Sequence, residues 1–159
     1  MEWSNAHLQK QVVKWTRIGD GESAALFAEA ILAAPRSFAG WTSISGAIDY
    51  AIFLFEQSPF ESERMIIDVS GDGTNNSGRP VAEARADALA FGVTINGLPI
   101  VNERPSPWLP AEPNLDEYYL KNVIGGPGAF MIVADDFISF QTAILNKLIR
   151  EIAALPVPP

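Results

Sequence analysis

Residues 65–70 (MIIDVS) form a short, nearly continuous apolar run that stops at Gly71-Asp72-Gly73 and restarts, after a polar loop, as a helix. A strand apolar on both faces has to be covered on both faces, the condition of a parallel sheet lying between helices. From Met65 onward the pattern repeats: a helix through Phe91 with Pro80 in its first turn, a strand over 92–100 (GVTINGLPI), and a strand over 129–134 (AFMIVA). Strands alternating with helices argue for an open α/β domain whose mostly parallel sheet is flanked by helices in three layers.

Upstream, residues 1–4 and 8–16 (LQKQVVKWT) read as two short strands joined at Asn5-Ala6. Residues 22–34 (ESAALFAEAILAA) read as a helix ended by Pro35. A second helix spans roughly 43–57, where Ile44, Ala47, Ile48, Ala51, Ile52 and Phe55 recur at helical spacing and mark its core face. Residues 101–113 carry four of the twelve prolines and read as a surface loop. A short helix over 114–123 leads to the GGPG turn at 125–128. In the last helix, capped by Asp135 or Asp136, the expected apolar stripe is Phe137, Phe140, Ile144, Leu148, Ile152 and Leu155. Residues 1–155 are thus read as a single domain and 156–159 (PVPP) as a proline-rich tail.

Charge and composition narrow the function. A hydrophobic content of 48% against 19% charged residues is that of a globular chain. The net charge of −8 disfavours a nucleic-acid backbone or an anionic membrane as partner and favours a cation. The absence of cysteine excludes thiolate zinc sites, and a single histidine, His7, disfavours multi-histidine metal sites and most histidine-based catalysis. The start MEWSNAHLQ lacks the form of a signal peptide, and no run is long and apolar enough to span a bilayer.

In open α/β sheets, ligand sites lie beyond the carboxyl ends of the strands, where Asp72 falls. A carboxylate with hydroxyl oxygens at such a place suits a hard cation, Mg²⁺ or Mn²⁺. The other reading of Asp72 is an Asx turn to its own backbone.

The strand ending in Asp72-Gly73 resembles the third metal-binding motif of von Willebrand factor A domains, and 40-GWTSISGAI-48 resembles their second. The strings at 67–78, 78–85 (GRPVAEAR), 92–100, 118–130 and 140–152 are similar to a bacterial subgroup of von Willebrand A-like proteins. The resemblance implies Thr42 as a hydroxyl ligand and Asp72 as a carboxylate ligand acting through water, with no redox role for the metal. It implies a non-enzymatic binding module gripping an acidic group of a protein partner through the bridging ion, in a family often exported. Nothing here matches the family's first motif, Asp-x-Ser-x-Ser, at the end of a central first strand. By that resemblance the central strand is missing upstream of Met1, so the chain is expected to be a truncated product, a misassigned start or a degenerate copy. Thr42 and Asp72 alone are then too few to hold Mg²⁺ tightly. A homo-oligomer supplying the missing strand is one expected consequence.

Other residues receive plainer expectations. Asp68, a carboxylate within an apolar strand, is expected to organise the loop by accepting backbone hydrogen bonds. Ser43 and Ser45 read as helix caps or as further ligands beside Thr42, Asn75 and Asn76 as turn formers or ligand-facing residues, and His7 as part of a surface turn. Trp41 either rims a binding surface or packs on the domain, and at least one of Tyr118 and Tyr119 is core. The loop from Arg104 to Pro113 is long enough to act in recognition. A rival reading takes GDGT at 71–74 as the phosphate loop of a nucleotide-binding kinase-like enzyme, with only Arg79 following it as a positive residue. A non-functional fragment of a longer protein is the third.

Overall fold

The computed structural model describes residues 1–101, 114–136 and 139–153. The chain forms β1 (Glu2–Trp3), β2 (Gln9–Lys10), α1 (Gly21–Ala33), α2 (Ile44–Glu56), β3 (Met65–Gly71), α3 (Val81–Ala90), β4 (Val93–Pro99), α4 (Leu115–Tyr118) and α5 (Phe140–Ala153). A π-helical turn, Tyr119–Val123, continues α4. The fold is α/β. The expected loop from Arg104 to Pro113, Phe137, Leu155 and the tail at 156–159 lie outside the described residues.

β3 and β4 run parallel in register from Met65 opposite Val93 to Gly71 opposite Pro99. Side chains of a strand alternate between faces, and here the two faces join different core clusters. Ile67, Val69, Val93 and Ile95 pack with α2, α3 and Tyr119 in the main core, whereas Leu98 and Ile100 pack with Ala134 and Ala143 of α5. This two-sided burial is why β4 is apolar nearly throughout. The predicted face of α2 is borne out: Ile44, Ala47, Ile48 and Ala51 are buried, and Ile52 and Phe55 pack against them. Gly92 ends the α3 segment at φ +88, a conformation that suits glycine.

Several expectations are corrected. The N-terminal hairpin pairs only Glu2 with Lys10 and Trp3 with Gln9, so the second strand ends far short of Thr16. Segment 129–134 meets β4 and the residue after it through two parallel bridges, Gly97 with Met131 and Ile100 with Ala134, rather than as a full strand. The described strands form two separate two-stranded sheets, β1–β2 and β3–β4. The stripe expected on the last helix holds at Phe140 and Ile144, which pack against the core, but then rotates: Ala143 and Lys147 face inward, while Leu148 and Ile152 are exposed. The cause is polar, because Lys147 turns inward to bind Asp68 and Glu151. Asp68 accordingly serves as the lysine's partner and not as an acceptor for loop backbone.

α1 forms where predicted, with Asp20 and Ser23 making a reciprocal capping box. Yet it buries no residue, and Leu32 is 84% exposed.

Candidate functional site

The loop after β3 folds back on the loop before α2, and asparagine side chains do the joining. Asn76 Oδ1 accepts the Thr42 N–H at 2.8 Å, and the Asn76 and Ser77 N–H groups both donate to the Thr42 carbonyl. Asn75 Oδ1 accepts the Ser45 N–H at 2.9 Å while its amide donates to the Arg79 carbonyl. Predicted as turn formers, these asparagines instead bond to residues 34 and 30 positions away, an effect composition could not reveal. Arg79 anchors the far end of the loop through paired bonds to Asp49 on α2 and an ion pair to Asp87 on α3.

Two glycines permit this approach. A Cβ on Gly73 would stand 3.1 Å from Thr42 Oγ1, and one on Gly78, at φ +86, would stand 2.8 Å from Ser43 Oγ. Ser43 is the cap expected of it, its hydroxyl accepting the Gly46 N–H at 3.1 Å. Ser45 is wholly buried beside it, so it is interior rather than facing a ligand.

Thr42 and Asp72 thus line one cleft of about 270 Å³, together with Trp3, Arg36, Trp41 and Gly71. The Asp72 carboxylate is exposed and makes no hydrogen bond or ion pair among the described residues, so the Asx-turn reading finds no bond to support it. Trp41 is 67% exposed at the rim, which decides against its packing on the domain. Among the described residues no cluster of three His, Cys, Asp or Glu side chains could hold a metal ion. A divalent cation held by Thr42 and Asp72 would therefore keep most of its coordination as water.

Below the cleft floor lies one of the two tyrosines of which at least one was expected in the core. Tyr119 is fully buried, and its hydroxyl makes no hydrogen bond among the described residues. That oxygen would lie 2.9 Å from a Cβ on Gly71, so it stands directly behind the strand tip. Burial, and then the negative charge of Asp72, push its phenol well above the usual range. Tyr118, by contrast, reaches the loop, its hydroxyl accepting the Asn75 N–H at 3.2 Å.

With this geometry in place, residues 1–156 match the family model described as Protein of unknown function (DUF1194). The chain belongs to the DUF1194 family. No curated protein matches it, and no solved structure does. In this DUF1194 member His7 lies in the exposed turn between β1 and β2, as expected, and takes no part in the cleft.

Proposed function

We propose that this chain is a non-enzymatic binding module of von Willebrand A-like, three-layer architecture with a remnant metal site at the tip of β3. Thr42 and Asp72 would be the protein ligands of a hydrated Mg²⁺ or Mn²⁺. The ion would offer an open coordination position to an acidic group of a protein partner, and no bond is made or broken. The observation that carries this reading is the convergence of the Thr42 hydroxyl and an unengaged Asp72 carboxylate on one cleft, from segments 30 residues apart in sequence. A carboxylate left without an internal partner is available to a cation.

The test is a thermal melt of the chain and of Asp72→Ala, in EDTA and in millimolar Mg²⁺ or Mn²⁺. Metal at about a hundredfold over Kd stabilises by roughly 2.7 kcal/mol, a rise of about 5–10 °C for a chain of this size. A rise that disappears in Asp72→Ala supports the site. No rise in the unaltered chain rejects it.

A companion reading concerns the edge of β3 that does not face β4, which pairs with no strand among the described residues. A groove of about 310 Å³ runs beside it, lined by Trp15, Phe55, Ile66 and Ile67. An unpaired edge next to apolar walls favours addition of an extended segment. In this reading a second copy of the chain supplies it, and the oligomer completes the sheet. Sedimentation equilibrium giving a monomer at tens of micromolar would reject that.

A further inference from the structure

We infer that Arg36 is a second anchor for a partner's carboxylate in the same cleft, so that recognition of an acidic side chain does not depend on a metal ion alone. This rests on the reading of the cleft as the site for a partner's acidic group, and it adds a residue that the motifs around Thr42 and Asp72 do not include. Arg36 lines the cleft with Thr42, Asp72 and the rim residue Trp41. Its Nε donates to the Phe38 carbonyl at 3.2 Å, which fixes the orientation of the guanidinium plane. Its two terminal nitrogens make no hydrogen bond or ion pair among the described residues, in a chain whose net charge is −8. They form the forked pair of donors that matches the two oxygens of a carboxylate.

The cleft walls are held before any ligand arrives. The Glu2 carboxylate accepts the N–H groups of Ser37 and Phe38 at 2.8 Å each, tying the Arg36 loop to β1. Glu2 is thereby engaged and forms no ion pair with Arg36. Ser4, the residue after β1, donates its hydroxyl to the Trp41 carbonyl at 3.0 Å, and its own carbonyl accepts the Ser43 N–H. The loops that carry Arg36 and Thr42 are therefore both bolted to one short N-terminal segment. A preorganised cleft loses less entropy on binding. An arginine beside an exposed tryptophan is also the pairing that dominates binding energy at protein interfaces. Asp72 opposes a bare anion, so the ligand would be drawn toward the arginine side when no cation is present and shared when one is.

The test uses N-acetylaspartate methylamide as a stand-in for an aspartate side chain, titrated into the full chain in EDTA and in Mg²⁺ and followed by NMR at the Trp41 indole. Inorganic phosphate is titrated in parallel. Arg36→Gln is expected to weaken carboxylate binding by about tenfold or more while leaving the EDTA melting temperature and any Mg²⁺-dependent rise unchanged. Arg36→Lys, a point charge without the fork, is expected to recover only part of the loss. Carboxylate binding that survives in EDTA and needs Arg36 supports the inference even if no metal binds. Equal affinity in Arg36→Gln and the unaltered chain overturns it, whatever the metal does. Arg36-dependent binding of phosphate in preference to the carboxylate also overturns it.

Discussion

Lys147 of α5 reaches across the sheet to the Asp68 carboxylate of β3, a contact between residues 79 positions apart. The lysine is only 2% exposed. Its ammonium also donates to Glu151 at 2.8 Å, and Asn96 of β4 donates to the same glutamate oxygen at 2.7 Å. Burial pushes the ammonium below its usual value, and the bond to Glu151 works against that. Phe130 covers the group, with its ring centroid 5.7 Å from the Lys147 nitrogen and 4.1 Å from the Arg150 guanidinium. This polar cluster, with the small apolar patch around Leu98, is what holds α5 on its face of the sheet.

Asp68→Ala should therefore destabilise the chain by about 1–3 kcal/mol, because it strips a partner from a buried charge. Lys147→Met should cost less, since an apolar side chain of similar length fills the site without needing a partner. Urea unfolding of the two variants checks the order. Equal losses would mean that the charge pair matters no more than the packing.

Tyr119→Phe should leave the fold intact and raise stability by as much as about 1–3 kcal/mol, the cost of a buried hydroxyl without a partner. The phenol is held above its ordinary range, so the folded state keeps its proton where the unfolded state loses it. Stability should consequently fall as pH rises beyond about 10, the unfolded tyrosine value. Urea melts between pH 9 and 11 should show a shallower alkaline decline for the phenylalanine variant.

Gly73 and Gly78 should respond differently to alanine. At Gly73 the added carbon meets only Thr42, 3.1 Å away, so Gly73→Ala should fold and shift the Thr42 hydroxyl, weakening any metal-dependent rise in melting temperature. At Gly78 the backbone is left-handed and the carbon would meet two buried serine hydroxyls within 3 Å. Gly78→Ala should cost about 1–3 kcal/mol whether or not metal is present. Melts of both variants in EDTA separate the two effects.

Acid should loosen the cleft from its N-terminal side. The Phe38 N–H first, and then that of Ser37, hold the Glu2 carboxyl below its usual value. The folded state thus favours the ionised form. That contribution is complete above the ordinary glutamate value and is lost as pH falls through the lowered one. Amide resonances of Ser37 and Phe38 should move together on acidification, and Glu2→Gln should flatten the change.

Much of the local structure could be read directly. The helical spacing of Ile44, Ala47, Ile48 and Ala51 marked the buried face of α2 because a helix brings those positions onto one side whatever its surroundings. The apolar character of β3 and β4 announced strands covered on both faces, and the glycines around Asp72 announced a turn. The rotation of the last helix has one cause. On the last helix, periodicity places Leu148 in the core and passes over Lys147, because it weighs side chains by polarity alone. The partner that draws Lys147 inward, Asp68, lies too far away in sequence for any local pattern to register it.

The candidate site divides in the same way. Thr42 and Asp72 could be picked from the chain because a loop hydroxyl and a strand-tip carboxylate are chemical types at recognisable local positions. That they share a cleft, that Asn75 and Asn76 bind its two loops together, and that Arg36 and Trp41 join the rim were decided by the tertiary structure. Residue type and short-range spacing are written in sequence, and they determined the elements and the donors. Distance between remote loops follows only from packing, and packing decided which of those donors meet.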